Sequence, residues 1–221
     1  MNAAGGQIQG TRMRQEDALR VERFGENELL AVVADGLGGH PAGDVASHEG
    51  VAEFAREFLE RRTPADPLPR EWLKHAILGT HTHLRALQRR DPELEGMATT
   101  LVALYVRGSE FWAASVGDSY LLLRRRGQLI VMNELHAEGG GVTSCVGFHL
   151  SRVDLADRLL VEPGDRFLLA SDGIATLDSD EIGGLLGEAP DPESAVSHLL
   201  RAIEDSDSPS QDNATVIAVF A

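Results

Sequence analysis

Apolar runs of strand length that stop at an acidic residue recur from one end of this chain to the other, and no other feature restricts its fold as much. Leu29 to Ala34 is followed by Asp35 and then by Gly36-Leu37-Gly38-Gly39-His40, and Phe167 to Ser171 is followed by Asp172 and Gly173. Asp118, in Val116-Gly117-Asp118-Ser119, lies between two strand-like runs; Asp212 precedes the closing run Ala214 to Phe220, and Glu16 and Asp17 precede the first. Any one of these could simply cap a turn. A carboxylate at the end of a buried strand with glycine behind it also lets the backbone approach an ion or a phosphate closely. Six carboxylates converging at strand ends repel one another unless a counter-charge stands among them. An all-oxygen donor set suits Mg²⁺ or Mn²⁺, whereas a single cysteine and the lack of a His pair beside the carboxylates argue against zinc.

The remaining pattern places those acids on a layered fold. Ala18 to Phe24 alternates as a strand does, and the turn-like Gly25 to Glu28 joins it to Leu29–Ala34 as a hairpin. Helical spacing follows in Val45, Val51, Phe54, Ala55, Phe58 and Leu59, and after the break from Pro64 to Pro69 again in Trp72, Leu73, Ala76, Ile77, Leu84 and Leu87. Strands return over Thr100–Val106, Phe111–Val116, Tyr120–Leu123 and Leu129–Met132, which read as one antiparallel meander. Asn133 to Gly147 is the least structured stretch by composition. Leu159–Val161 and Phe167–Ala170 read as strands, Ser179–Leu186 and Pro192–Ile203 as helices, and Ala214–Phe220 as a last strand. That order predicts an α+β arrangement of layers in a single domain, residues 1–221, and not an alternating parallel sheet.

Charge and length exclude several partners. Against 20 Lys+Arg stand 35 Asp+Glu, and the last 44 residues alone hold ten acids and one base, Arg201. Such a field repels nucleic acid and anionic lipid. The one basic cluster, Arg124-Arg125-Arg126, reads as a solvated strand edge. No apolar run approaches the roughly 20 residues that span a bilayer, and the first ten residues lack the basic start and apolar stretch of a signal peptide, so a cytoplasmic location is expected. Cys145 has no partner for an internal disulfide.

Taken in order, Arg12-x-x-x-Glu16-Asp17, Asp35-Gly-Leu-Gly-Gly-His40, Gly96-x-x-Thr99-Thr100, Val116-Gly-Asp118-Ser119, Ala170-Ser-Asp172-Gly173 and Asp212-Asn213-x-Thr215 resemble the motif series of the metal-dependent type 2C Ser/Thr protein phosphatases in their bacterial form. The resemblance implies a central β-sandwich of two antiparallel sheets flanked by α-helices on both sides, a four-layer α-β-β-α fold. It implies hydrolysis of phosphoserine and phosphothreonine by a metal-activated water without a covalent intermediate, with two Mn²⁺ or Mg²⁺ ions and a third site. By position, Asp35 matches the carboxylate that bridges two ions, Gly36 the carbonyl that binds one, and Asp172 and Asp212 the ligands of the other. Asp118 with Asp172 matches the third site, Glu16 and Asp17 match the acids that hold the outer shell, and Arg12 matches the phosphate-binding arginine. The implied partner is a phosphorylated protein, the target of a bacterial Ser/Thr kinase, acted on by a monomer. A pseudophosphatase that binds phosphoproteins without turnover is the alternative, and the survival of Asp35, Asp172 and Asp212 weighs against it.

Four departures stand out. Leu37 occupies the place where eukaryotic relatives carry a histidine proposed as general acid, and His40 reads as structural. Gln15 replaces the usual Asn before Glu16-Asp17. Tyr120 replaces the Arg that usually follows Gly-Asp-Ser. Between Leu135-His136 and Val146-Gly147 only a short Gly-rich link stands where the family places a mobile flap of a few tens of residues, so the expected cleft is open and shallow.

Overall fold

Twelve strands form among the described residues, ten of them in two antiparallel sheets, as seen in a computed structural model that describes residues 1–37, 42–62, 68–206 and 208–221. The strands are β1 (Asn2–Ile8), β2 (Asp17–Gly25), β3 (Glu28–Asp35), β4 (Leu101–Arg107), β5 (Glu110–Val116), β6 (Tyr120–Arg125), β7 (Gln128–Val131), β8 (Ala137–Glu138), β9 (Gly141–Val142), β10 (Asp154–Leu160), β11 (Arg166–Ala170) and β12 (Ala214–Phe220). One sheet has the order β1-β12-β11-β6-β7, the other β10-β5-β4-β3-β2, and β8 and β9 form a separate small hairpin. Helices α1 (Gly43–Arg61) and α2 (Pro69–Arg90) pack on the second sheet, and α3 (Ser179–Glu188) and α4 (Pro192–Asp205) on the first. The expected four-layer α-β-β-α sandwich is what forms.

Three apolar layers lie between the four structural ones, and strand alternation assigns residues to them. Leu29, Ala31 and Val33 of β3 face the other sheet, together with Val102, Leu104, Phe167, Leu169, Ile217 and Val219. Their neighbours Leu30, Val32 and Ala34 face α1 and α2, with Phe54, Phe58, Trp72 and Tyr105. Leu168, Ala170, Val216 and Ala218 face α3 and α4, with Leu186, Leu199 and Ile203. Central strands buried on both faces carry apolar residues at every position, which is why they read as continuous runs. The late helices start on cap bonds: Asp178 accepts from Glu181 N at 2.8 Å, and Asp191 from Ser194 N at 2.7 Å with Pro192 in the first turn.

Four expectations are corrected. The meander is broken, because β5 and β6 belong to different sheets: the chain crosses at Gly117-Asp118-Ser119, and β6 pairs with β11. The polar start is a strand, β1, registered on β12 from Asn2↔Phe220 to Ile8↔Ala214. The stretch after Met132 holds the β8–β9 hairpin, and the strand after it begins at Asp154, not Leu159. The arginine cluster is largely paired: Arg124 Nε donates to Gly183 O (2.9 Å), and Arg125 donates to both oxygens of Asp165 (2.8 and 2.6 Å), a carboxylate only 1% exposed. Exposed Arg126 pairs with Glu162 at 2.8 Å. His40 and most of the Pro64–Pro69 break lie outside the described residues.

Candidate functional site

Strand register brings the acids to one end of the sandwich. Asp17, the first residue of β2, stands directly opposite Asp35, the last of β3. In the facing sheet, β11 ends at Ala170 opposite Tyr120, the first residue of β6, so Asp172 follows one strand and Asp118 precedes the other at the same rim. Ala170 also pairs with Val216, which places Asp212, just ahead of β12, at that rim as well. Glu16 precedes β2. The carboxylates feel one another: Asp35 is pushed well above the usual carboxylate range by burial and by the charges of Asp17, Asp172, Asp118 and Asp212. Asp17, buried, is pushed up to about 6. Asp172 is raised by burial and by Asp118 and Asp212, Asp118 by burial, and Glu16 by burial and by Asp44. Asp35 keeps some exposed surface, but protein crowds its carboxyl on most sides.

Backbone and hydroxyl groups fix these acids in place. Asp35 N donates to Thr100 Oγ1 (3.0 Å), Thr100 N donates back to Asp35 O (2.8 Å), and Thr99 Oγ1 donates to the same carbonyl (2.8 Å). Gly36 N donates to Glu16 O at 3.0 Å, and a Cβ on Gly36 would lie 2.1 Å from Gly43 O. Only glycine lets the Asp35 turn pass so close to the start of α1. Ser171 Oγ donates to Asp17 Oδ2 at 2.8 Å. The Thr215 hydroxyl faces the same carboxylate, though its Oγ1 makes no hydrogen bond of ordinary geometry.

A buried amide, Asn213, ties the arginine loop to this end of the fold. Its Oδ1 accepts from Glu16 N (2.8 Å), and its Nδ2 donates to Gln9 O (2.7 Å) and Arg14 O (2.9 Å). Gln15 bridges the same turn, accepting from Asp17 N and donating to Ile8 O, both at 2.9 Å, so this departure keeps a working amide. Arg12, half exposed, donates through Nη2 to Asp212 Oδ2 at 2.5 Å. Tyr120 lies where Asp172 and Asp118 raise its phenol beyond the effect of burial.

Among the described residues no three His, Cys, Asp or Glu side chains already stand as a metal-binding group. Two of the carboxylates find other partners: Asp17 accepts from Ser171 and Asp212 from Arg12. The donor set nonetheless fits hard divalent ions, because buried, mutually repelling carboxylates with raised proton affinity need positive charge and offer only oxygen. Of the residues singled out in the sequence, Glu16, Asp17, Asp35, Gly36, Asp118, Asp172, Asp212 and Arg12 all meet at this rim. Ser171 and Asn213 were given no role in advance. Their signal was weak: each is a small polar residue next to an acid at a strand end.

Sequence and fold are both shared with known proteins. The family model described as Protein phosphatase 2C matches residues 5–210. The Ser/Thr protein phosphatase PstP of Mycobacterium tuberculosis is 33% identical over 171 residues, 69% of this chain and 33% of that protein, so the chain spans about a third of the length of the first curated relatives it matches. The solved catalytic domain of PstP in complex with two manganese ions superposes with a TM-score of 0.82 at 27% identity, covering 98% of this chain and 96% of that one. PppA, a regulatory component of the type VI secretion system in Pseudomonas aeruginosa, superposes with a TM-score of 0.81 at 30% identity, covering 100% and 97%. With a family match along nearly its whole length, this chain belongs to the protein phosphatase 2C family.

Proposed function

We propose that residues 1–221 form one catalytic domain of a metal-dependent protein Ser/Thr phosphatase, which hydrolyses phosphoserine and phosphothreonine with water and no covalent intermediate. The observation that carries this reading is the meeting of six carboxylates and one arginine at a single end of the sandwich. Asp35, Gly36 O, Asp172 and Asp212 would hold two Mn²⁺ or Mg²⁺ ions, Asp118 with Asp172 a third, and Glu16 and Asp17 the outer shell. When bound, such ions supply a Lewis acid that lowers the pKa of water to about 7, making hydroxide available near neutral pH.

The chain's own side chains supply the rest. Arg12 presents a planar fork suited to two phosphate oxygens, and its exposure lets it serve both Asp212 and a phosphate at the mouth. Charge that spreads over the phosphoryl oxygens as the bond to the Ser or Thr oxygen breaks is met there by the guanidinium. Ser171 and Asn213 hold Asp17 and the Arg12 loop in register. Leu37 has no proton to give the departing oxygen, so that proton comes from water or another side chain. Cys145 is no nucleophile, being buried, with its thiol pushed up by that burial. The substrate is a phosphoprotein of a bacterial Ser/Thr kinase pathway, met by a monomer in the cytoplasm at an open cleft. Among the described residues no helix is long and apolar enough to cross a membrane.

Arg12→Ala tests the phosphate role. Loss of a charge-assisted bond, about 1.5–3 kcal/mol, lowers kcat/KM for p-nitrophenyl phosphate roughly ten- to a hundred-fold. Unchanged kinetics would remove Arg12 from the site.

A further inference from the structure

A groove of about 370 Å³ opens beside the arginine loop, between residues 8–11 and the C-terminal end of α4, with Gln211 also lining it. Its first wall is pinned to the rim of the acidic site. Thr11 donates through both N (2.9 Å) and Oγ1 (3.0 Å) to Gln211 O, and Gln9 Nε2 donates to Arg12 O at 2.7 Å. Gly10 has a φ of +60°, and a Cβ there would lie 2.4 Å from Asp212 O, so this wall is pressed onto the backbone that carries Asp212. The groove therefore starts one residue from Arg12 along one strand of chain and one residue from Asp212 along the other.

Its chemistry is that of a slot for a long cation. Partly buried Ile8 supplies apolar surface for a methylene stem over the buried Ile203, and Glu204, exposed on α4, supplies a carboxylate among neutral amide and hydroxyl groups. No basic residue is among the described residues that line it, and its α4 wall belongs to the stretch of chain where ten acids face one base.

The geometry points to a specificity subsite: a Lys or Arg side chain of the phosphoprotein, within a few residues of the phosphorylated Ser or Thr, lies in this groove against Glu204 while Arg12 holds the phosphate. This rests on the phosphatase reading above, and the two are separable by experiment. Peptides that carry a non-hydrolysable phosphonate analogue of phosphothreonine and differ only in Lys, Ala or Glu at each flanking position would be titrated by NMR into the full chain loaded with Mg²⁺, so that no peptide is consumed. At one flanking position the Lys peptide should bind about two- to five-fold more tightly than the Ala peptide, the range of an exposed ion pair, and the Glu peptide more weakly. The amides of Ile203, Glu204 and Ser208 should shift, and the preference should fade at high salt. Glu204→Lys should reverse the order while leaving hydrolysis of p-nitrophenyl phosphate unchanged. A Lys preference that is absent, or that survives Glu204→Lys, overturns the subsite. Failure of the wild-type chain to hydrolyse p-nitrophenyl phosphate with Mn²⁺ would count against the phosphatase reading alone, because the peptide titration needs no turnover.

Discussion

Asp17→Asn should make the chelated protein more stable while damaging its site. Asp17 is 1% exposed and its carboxyl is raised from 3.8 to about 6, first by burial and then by the nearby Asp172 and Asp212, with Ser171 and Thr215 opposing. At about 1.36 kcal/mol per pH unit, that rise means the ionised folded state carries a cost of about 3 kcal/mol. The sign follows from linkage. A carboxyl with a raised folded pKa is harmless below its unfolded pKa, and its cost grows as pH rises through the window from about 4 to 6, then stays constant. Asparagine keeps an oxygen for the Ser171 hydroxyl and removes the charge, and its amide can reach the Thr215 hydroxyl. In EDTA at pH 8 the variant should gain up to about 3 kcal/mol, or about 6–12 °C in Tm for a chain of this length; at pH 5 the gain should be about half as large. Thermal melts of both proteins at the two pH values measure this. A variant no more stable than wild type at pH 8, or a gain that does not shrink on acidification, would refute the claim that Asp17 is held at an electrostatic cost.

Other outcomes follow from the same geometry. Mn²⁺ at a hundred times its Kd should stabilise the wild type by about 2.7 kcal/mol, with a smaller Tm rise at pH 5.5 than at pH 8, because raised carboxyls must lose protons to bind. A Tm indifferent to divalent ions would contradict the donor set. Arg125→Ala leaves the Asp165 carboxylate buried with its main counter-charge gone, and should cost about 3–5 kcal/mol, read as a lowered urea midpoint with unchanged m-value. Asn213→Ala removes three bonds that set the Arg12 loop, so kcat/KM should fall on the order of a hundred-fold while the melting curve stays cooperative.

The parts of the fold that were legible in the sequence are those buried on both faces. β3, β4, β11 and β12 carry apolar side chains toward the other sheet and toward helices alike, and no local signal competes with that pattern. β1 was not legible, because Asn2, Gly5, Gly6 and Gln7 have no strand preference. Its place is decided at long range: a Cβ on Gly6 would lie 2.8 Å from Val196 Cγ1 and 2.9 Å from Leu200 Cδ1, so the glycine lets α4 settle on the strand. The crossing at Gly117-Asp118-Ser119 was hidden for a related reason, since an apolar strand looks the same whichever sheet it joins. Only the pairing of β6 with β11 distinguishes the two. At the site, the acids were visible as strand-end carboxylates. Arg12 and Asp212, 200 residues apart, gave no local sign of their ion pair, and neither did the bonds of Ser171 and Asn213 that connect the two sheets.

The central claim is that the acids at this rim act together with divalent ions to hydrolyse a phosphate ester. Turnover of p-nitrophenyl phosphate by the wild type, Asp35→Asn and Asp172→Asn, each with Mn²⁺ and with EDTA, tests it most directly. The account predicts turnover by the wild type with Mn²⁺, none with EDTA, and a loss of at least about a hundred-fold in each variant while its fold is retained. Turnover in EDTA, or variants as active as the wild type, would contradict it.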